Sequence, residues 1–425
     1  MGRKSKAQLA KEFAMTNGKV DPVTTTGPVI TPDQVQATHE APPVEKKKVD
    51  KPKPEEKKTK DEFKTLLSQM ESQFGDGCIL SAEKFIDVKK MPTGILLEDI
   101  LLRGGLPQSA IILKAGEESS GKTLSSLIEA SALTKQGIPV LYVDAEHCFS
   151  KDWAVKLGND LKYLFVAQPQ DLEKAVDITD IAVRSRKFGM VIFDSLTAAI
   201  PKQRIEKSAY DALVALQARV NSTLAQKISS ALQPENLSDP DTHNKTIVIW
   251  IAHLKQKVGI VYGNPDIIPG GKAILFHAHY ILKYSKGAVL KNGDDIIGRE
   301  MRVKVEKAKY SRPLVSGSTE FFFDPPRMNN AKTLIVYSMN LGFIRRTNKD
   351  GEDSESGQFY VYDNVQAKGQ AEFIKILKDK PELLEKLKQS LIIGVQNAEI
   401  KPEEVDADES STDSKETTGV SEESV

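Results

Sequence analysis

The chain has 425 residues, 40% of them hydrophobic, which is enough for two or three domains with a sizeable core. Its 59 basic and 59 acidic residues balance, and this neutral total does not argue against binding a polyanion, because local fields matter more than the sum. No apolar run approaches the ~20 residues of a membrane span, and the first residues, MGRKSKAQLAKEF, lack the apolar segment of a secretion signal. The two cysteines, Cys78 and Cys148, suit a reducing compartment and give no metal-ligand cluster.

Both ends of the chain are polar and lack the apolar residues that a folded core needs. Residues 1–60 are rich in Pro, Thr and Lys and end in the lysine-rich stretch EKKKVDKPKPEEKKTK. Residues 396–425 are strongly acidic. These compositions predict a disordered Lys-rich arm and a disordered acidic tail, both solvated.

A short helix is predicted at residues 61–74, DEFKTLLSQMESQF, followed by a linker to residue 89. Its apolar residues Phe63, Leu66, Leu67 and Met70 recur at helical spacing and share one face. That face either packs on its own domain or docks on a neighbouring subunit, and the spacing favours neither.

Between residues 90 and 345, short apolar runs alternate with helical stretches, the order that builds a mostly parallel sheet covered by helices on both faces. Strands are predicted at residues 110–115, 140–143, 164–167, 190–193 and 247–252, helices at 123–136 and 172–186, and further β-type runs at 278–284, 300–307 and 320–323. Residues 346–395, with helical runs at 371–377 and 381–391, are predicted to form a small separate C-terminal domain. The predicted fold class is α/β.

The segment GEESSGKT matches G-x-x-x-x-G-K-[ST] and lies between a predicted strand and a predicted helix. Its members are Gly116, Glu117, Glu118, Ser119, Ser120, Gly121, Lys122 and Thr123. The glycines let backbone amides turn towards phosphate oxygens, and the positive end of the helix dipole adds to the attraction. We expect Lys122 to reach the β and γ phosphates of ATP and Thr123 to ligate Mg²⁺. An ordinary glycine-rich turn is the alternative.

Two carboxylates are predicted to emerge at the carboxyl ends of strands, where open α/β sheets bind ligands. Asp194 ends the run MVIF and suits a carboxylate that holds the water shell of Mg²⁺. Glu146, in VDAEH, suits a general base for the attacking water. Either acid is otherwise a solvated strand-end residue.

Several motifs follow one another in an order and at spacings that resemble bacterial RecA. They are GGLP from Gly104, GEESSGKT from Gly116, DAEH from Asp144, VIFDS from Val191, YGNP from Tyr262, the pair Gly270 and Gly271, MESQFGDG from Met70 and LKDKPELLEKLKQSL from Leu377. The similarity extends from about Phe63 to Leu391. It implies a RecA-like P-loop NTPase core with a short N-terminal oligomerisation helix and a small C-terminal α+β domain. It also implies ATP and Mg²⁺ at the subunit interfaces of a helical filament.

The resemblance gives roles to individual positions. Glu146 matches the family's catalytic glutamate, and Asp194 matches its metal-side aspartate. Trp153 falls where the family stacks an aromatic ring on adenine, with a core tryptophan as the alternative. Lys307 and Lys309 match two catalytic lysines that reach the ATP of the adjacent subunit, and their alternate spacing puts both on one face of a strand. Without the resemblance, these lysines are a solvated face.

Three further positions concern the nucleotide state. His253 stands where RecA has a glutamine that senses the γ-phosphate; histidine also donates to phosphate oxygens, and phage recombinases of the UvsX type look similar here. A buried structural histidine is the alternative. Phe276 resembles a phenylalanine that signals across the subunit interface, although a core phenylalanine fits nearly as well. Asp324-Pro-Pro replaces a tyrosine that covers adenine from the next subunit, and we expect Pro325 to substitute by apolar contact.

Two segments match the family's loops for single-stranded DNA. The first, residues 201–213, lacks most of the family's glycines and acids; the second is residues 254–269. Lysines in such a loop neutralise phosphates, and apolar side chains wedge between stacked bases. The residues expected to contact DNA are Arg219, Ser222, Lys255, Lys257, Val258, Gly259, Ile260, Gly270 and Gly271. An ordinary surface loop is the alternative, and the polar insertion at residues 232–245 has no clear counterpart in the family.

These features predict an ATP-dependent recombinase that polymerises on single-stranded DNA and pairs it with a homologous duplex. Single-strand-binding and mediator proteins are further candidate partners, and no membrane association is expected. We expect the protein to be located in the cytoplasm of a bacterial cell, or in that of a host cell if it is encoded by a phage. The Lys-rich arm and His253 weakly favour a phage origin. A RecA-core hexameric helicase or branch-migration ATPase is the nearest alternative. A filament-forming binding protein with degenerate catalysis is disfavoured because Lys122, Thr123, Glu146 and Asp194 are all present.

Overall fold

The computed structural model describes residues 54–85, 87–203, 214–256, 266–354 and 356–397. The helices are α1 (Pro54–Phe74), α2 (Leu96–Leu101), α3 (Lys122–Thr134), α4 (Lys151–Lys156), α5 (Leu172–Ser185), α6 (Val214–Ala231), α7 (Lys272–His277), α8 (Asn330–Asn340), α9 (Gln370–Asp379) and α10 (Pro381–Asn397). The first strands are β1 (Lys90–Met91), β2 (Leu106–Pro107), β3 (Ile111–Gly116), β4 (Val140–Asp144), β5 (Leu164–Ala167), β6 (Met190–Asp194), β7 (Ile247–His253), β8 (Lys255–Gln256) and β9 (Asp266–Ile267). The later strands are β10 (Tyr280–Asn292), β11 (Asp295–Ala308), β12 (Val315–Phe323), β13 (Pro326–Met328), β14 (Arg345–Thr347), β15 (Phe359–Tyr362) and β16 (Val365–Lys368).

The N-terminal helix α1 begins at Pro54, earlier than the predicted start at residue 61. Glutamate and lysine favour helices, so the helix continues into the end of the lysine-rich stretch. Leu66 and Phe74 are 49% and 66% exposed. The remainder of the Lys-rich arm and the acidic tail from residue 398 lie outside the described residues, and their disorder stays a prediction.

Within the described residues, nine strands form one sheet in the order β13-β12-β11-β10-β3-β7-β6-β4-β5. Neighbouring strands from β10 to β5 run parallel, and β11, β12 and β13 extend the sheet in antiparallel fashion. The central strands β3, β6 and β7 are buried almost throughout, as continuous apolar runs in parallel sheets are. The predicted α/β class with a mostly parallel sheet is confirmed.

Two apolar layers cover the two faces of this sheet. Ile112 and Ile192 face one layer together with Leu127 of α3, and Ile111 faces the other together with Leu224 of α6. Adjacent residues of a strand point to opposite faces, which separates Ile111 from Ile112. The predicted helices on both faces are confirmed.

A charged cluster is buried beside the first strand of the core. Lys114, which the sequence pattern placed within an apolar run, is 0% exposed, and its Nζ is 2.5 Å from Glu129 Oε2 and 2.6 Å from Ser125 Oγ. Glu98 Oε1 accepts hydrogen bonds from Ser125 Oγ at 2.7 Å and from Tyr284 OH at 2.9 Å. Burial raises the pKa of Glu129 well above its usual value, against the opposing effect of Lys114. The cluster ties α2 and α3 to β3 and β10.

The C-terminal part consists of the sheet β14-β15-β16 with α9 and α10, so both predicted helical runs are confirmed. Phe373 and Leu387 belong to the same buried apolar cluster as the core residues of the central sheet. In the part of the chain that the structure describes, no helix is long and apolar enough to cross a membrane.

Strand order determines which loops meet. In register, Gly116 at the end of β3 lies beside His253 at the end of β7, and Asp194 of β6 lies beside Asp144 of β4. Because parallel strands end at the same edge, the segments that follow β3, β4, β6 and β7 converge there.

Candidate active site and nucleic-acid segments

The turn between β3 and α3 wraps around the amino group of Lys122. This side chain is 3% exposed, and its Nζ donates to the carbonyl oxygens of Gly116 at 2.9 Å and Glu117 at 2.5 Å. Burial lowers the pKa of Lys122 to about 8, although the carboxylates of Asp194 and Glu146 oppose the shift. The ammonium group therefore sits inside the loop, at the position that a phosphate-binding lysine requires.

Glycine is required on both sides of this turn. A Cβ at Gly116 would lie 2.5 Å from the carbonyl oxygen of Tyr284. Gly121 has a φ of 101°, and a Cβ there would lie 2.6 Å from the sulfur of Met301. The close approach of β10 at Gly116 and the left-handed φ at Gly121 explain why glycine stands at both positions of the motif.

Asp194 lies at the end of β6 against the start of α3. Its Oδ2 accepts hydrogen bonds from Thr123 Oγ1 at 2.7 Å and from Tyr142 OH at 2.6 Å. Burial raises the pKa of Asp194, while the hydrogen bonds from Tyr142 and Thr123 oppose that shift. The alternative of a solvated strand-end acid is wrong, since Asp194 is 1% exposed.

The donor set at Asp194 fits Mg²⁺. Its buried Oδ1 has no hydrogen-bond partner among the described residues, a costly situation that a cation would relieve. Mg²⁺ prefers oxygen ligands and usually keeps several waters and substrate phosphates beside one or two protein groups. Accordingly, the described residues contain no cluster of three or more His, Cys, Asp or Glu that could hold a metal by itself.

Glu146 accepts two hydrogen bonds at one carboxylate oxygen. Ser195 Oγ lies 2.5 Å and His253 Nε2 lies 2.8 Å from Glu146 Oε1. The hydrogen bond from His253 is the largest cause that holds the pKa of Glu146 below its usual value; burial opposes it and the Ser195 hydroxyl supports it. The His253 side chain is 31% exposed rather than fully buried. The sequence pattern assigned no role to Ser195, because serine is common in the loops that follow strands.

A cleft of about 680 Å³ opens at the phosphate loop. Its lining includes the polar side chains of Lys122, Glu146 and His253, and it also includes Trp153 beside Phe321 at a ring-centroid distance of 6.4 Å in an edge-on arrangement. The sequence prediction missed the lining residues from β10, β11 and β12: Lys286, Val289, Ile296, Arg299, Glu300, Met301, Phe321 and Phe323. Nothing in their spacing separates them from exposed strand residues. Pro325 is exposed in the turn before β13 and does not line this cleft.

Lys307 and Lys309 do not line the cleft of their own chain. Lys307 Nζ donates to the carbonyl oxygens of Leu275 at 2.7 Å and Phe276 at 3.0 Å. Burial lowers the pKa of Lys307, and the nearby positive charge of Lys309 adds to this shift. Phe276 is 72% exposed, so the core alternative for this residue is wrong.

The residues predicted to contact DNA fall into two groups. Lys257, Val258, Gly259 and Ile260 lie outside the described residues, as do residues 204–213. The described residues are Arg219, Ser222, Lys255, Gly270 and Gly271. The packing of α6 on α7 brings Arg219 and Ser222 of α6 close to the two glycines that precede α7.

Gly270 and Gly271 pack closely against α6, the helix that carries Arg219 and Ser222. A Cβ at Gly271 would lie 3.2 Å from Ala218 Cβ, and a Cβ at Gly270 would lie 3.0 Å from Asn221 Nδ2. Arg219 is exposed, and Ser222 Oγ donates to the carbonyl oxygen of Ala218 at 2.8 Å. Lys255 is exposed on β8, which pairs with β9.

The sheet order, the loop after β3 and the acids at the ends of β4 and β6 define a P-loop α/β protein. The sequence model of the RecA N-terminal domain matches residues 61–325. Protein RecA of Streptomyces ambofaciens is 34% identical over 82% of this chain and 89% of its own length. Protein RecA of Streptomyces coelicolor is 33% identical over 77% of this chain and 85% of its own length. Protein RecA of Bifidobacterium breve is 33% identical over 79% of this chain and 81% of its own length. The chain therefore belongs to the RecA family of recombinases, and the hexameric helicase alternative is not favoured.

Proposed function

We propose that this chain is a DNA-dependent ATPase that assembles into helical filaments on single-stranded DNA and drives pairing and strand exchange with a homologous duplex. The observation that carries the proposal is the convergence of three features at the cleft: Lys122 and Glu146 line it, and so does Thr123, which is hydrogen-bonded to Asp194. The cleft's volume of about 680 Å³ suits a ligand the size of a nucleotide.

Each of these residues has a defined task towards ATP. Lys122 exchanges its hydrogen bonds to the carbonyls of Gly116 and Glu117 for phosphate oxygens. Asp194, which accepts a hydrogen bond from Tyr142, and the Thr123 hydroxyl would hold Mg²⁺. When bound there, Mg²⁺ neutralises charge on the phosphates.

Glu146 is the base that orients and deprotonates the attacking water. Ser195 and His253 both bind Oε1 and fix the carboxylate plane. Oε2, which has the weakly donating Cys148 Sγ at 3.9 Å, is the oxygen available to a water. Because its pKa is held low, Glu146 is ionised at neutral pH, as a general base must be.

Self-association would complete this site. Lys307 and Lys309 do not line the cleft of their own chain, which fits lysines that act on the nucleotide of a neighbouring subunit. Phe276, whose carbonyl binds Lys307, is largely exposed and suits an interface contact. The exposed Leu66 and Phe74 of α1 offer a further apolar surface for a second copy.

DNA contacts are assigned to the neighbourhood of α6 and α7. Arg219 and Lys255 are exposed cations for backbone phosphates. Gly270 and Gly271 pack against α6 next to Arg219, so their backbone amides would approach the same stretch of nucleic-acid backbone. Sequence would then be read by base pairing between strands rather than by protein contacts.

ATP hydrolysis with and without single-stranded DNA tests the proposal, with Lys122→Ala as the inactive control. We expect DNA-dependent turnover, helical filaments by electron microscopy with a slowly hydrolysed ATP analogue, and joint molecules between single-stranded DNA and a homologous duplex. Closed rings in place of filaments, or no joint molecules, would contradict it.

A further inference from the structure

A second cation lies at the rim of the phosphate loop. Lys286 is on β10, the neighbour of β3 on the side away from β7. Tyr284 of β10 is in register with Gly116, the last residue of β3, so Lys286 continues beyond the end of β3 alongside the loop. Its Nζ is 3.8 Å from Oε2 of Glu117, the residue directly after Gly116.

The position of Lys286 matters for any anion in the loop. Lys286 lines the same cleft as Lys122, so both ammonium groups act on an anion bound there. Two cations near each other repel, and an anion between them is attracted by both. The cations that line the cleft within the described residues are Lys122, Lys286 and Arg299, and of these Lys286 is ion-paired to an acid of the loop.

The contact with Glu117 is easily exchanged. The side chains of Lys286 and Glu117 are 37% and 65% exposed, and exposed pairs at this distance contribute little because solvent screens them. A triphosphate carries several negative charges and forms stronger charge-assisted hydrogen bonds with an ammonium group than a single solvated carboxylate does. The bound nucleotide therefore competes with Glu117 for Lys286.

We propose that Lys286 is a second ammonium group, from the same chain, that binds the phosphates of the nucleotide, and that Glu117 competes with the phosphates for it. This inference rests on the proposed ATP site. It gives the two partners opposite effects: Lys286 favours nucleotide binding, whereas Glu117 opposes it by retaining Lys286 and by repelling the phosphates.

Calorimetric titration with Mg²⁺ and a slowly hydrolysed ATP analogue, without DNA, tests this inference. We expect Lys286→Gln to weaken binding about 10-fold, the order of one partly exposed charge-assisted contact. Glu117→Gln is expected to tighten binding about 3-fold, as loss of a surface like-charge repulsion does. In the Lys286→Gln background, Glu117→Gln should have a smaller effect because it no longer releases Lys286.

Two controls separate this effect from misfolding. Lys286→Arg keeps the charge and is expected to bind within about 3-fold of the unchanged protein. Lys291→Gln removes an exposed lysine from the same strand, outside the cleft, and is expected to bind normally. Thermal unfolding of each variant checks that it is folded.

The outcomes distinguish this inference from the proposed function. If the unchanged protein binds the analogue no better than Lys122→Ala does, the ATP site itself is refuted. If the unchanged protein binds and Lys286→Gln binds equally well, Lys286 is not a phosphate ligand. If Glu117→Gln weakens binding as Lys286→Gln does, the pair is a structural brace and the inference is overturned.

Discussion

Asp194→Asn removes a buried negative charge at the end of β6 while keeping the shape of the side chain. The amide oxygen can still accept hydrogen bonds from Thr123 and Tyr142, the present partners of Oδ2. The amide nitrogen then takes the place of the unpartnered Oδ1. The two consequences oppose each other in the nucleotide-free protein, because a charge disfavoured by burial is lost while a buried N–H group is left without an acceptor. Each effect is on the order of 1–3 kcal/mol, so the free energy of unfolding should change by less than about 2 kcal/mol.

The same substitution should remove most of the stabilisation that Mg²⁺-ATP provides. A ligand at a hundred times its dissociation constant stabilises a protein by about 2.7 kcal/mol. Perturbed ligation typically lowers metal affinity about 10–100-fold. At the same concentration the ligand would then stabilise the variant by only about 0.4–1.4 kcal/mol. For a chain of this size, the shift in the melting temperature should be smaller by a few degrees.

Thermal unfolding with and without Mg²⁺ and a slowly hydrolysed ATP analogue measures both effects. Asp379→Asn, at an exposed aspartate of α9, is the matched control and should behave like the unchanged protein. If Asp194→Asn kept the full Mg²⁺-dependent shift, the assignment of Asp194 as a metal-side residue would be refuted. A large loss of stability without nucleotide would instead show that the carboxylate is mainly structural.

Three further outcomes follow from charges and hydrogen bonds in the fold. Glu146→Gln should lower DNA-dependent ATP turnover about 10²–10⁴-fold while leaving nucleotide binding nearly unchanged, as measured by turnover and titration. Lys114→Met leaves a buried acid without its cation and should destabilise by about 3–5 kcal/mol in denaturant unfolding, whereas adding Glu129→Leu should recover most of that loss. Burial, then Lys309 and Lys307, lowers the pKa of His279 from 6.5 to about 4. Since the unfolded chain takes up the proton first, stability should fall as pH drops from 6.5 towards 4. At pH 5 the loss is about 1 kcal/mol after allowance for partial exposure, and His279→Asn should reduce it.

Each of these expectations has a result that contradicts it. Normal turnover in Glu146→Gln would exclude this residue as the base. A double variant at Lys114 and Glu129 that is as unstable as the single variant would mean that packing, rather than the unpaired charge, sets the cost. An unchanged pH dependence in His279→Asn would assign the acid sensitivity to other groups.

The phosphate loop and the order of strands and helices were predictable because both are local. Eight consecutive residues carry the loop motif, and each of the five apolar runs between residues 110 and 252 indicates its own strand within a residue or two of its observed ends. The runs predicted at 278–284, 300–307 and 320–323 cover only parts of β10, β11 and β12, which extend to residue 292 or begin at residues 295 and 315. Asp194 was predictable for the same reason, since a strand end is visible in the sequence. Differences arose where tertiary contacts overrode local pattern. Lys114 stands inside an apolar run. Its burial depends on an ion pair with Glu129, which lies on α3, the helix that follows β3.

The sequence by itself determined the RecA-like core, and it predicted the phosphate loop together with Glu146 and Asp194 as the acids beside it. Only the tertiary structure decided which groups act on those acids. Glu146 shares one oxygen with Ser195 and with His253, which is 107 positions further along the chain. Lys286 reaches Glu117 because β10 pairs with β3. Crossover connections set that strand order, and their outcome depends on the packing of the whole sheet, which no short stretch of sequence records.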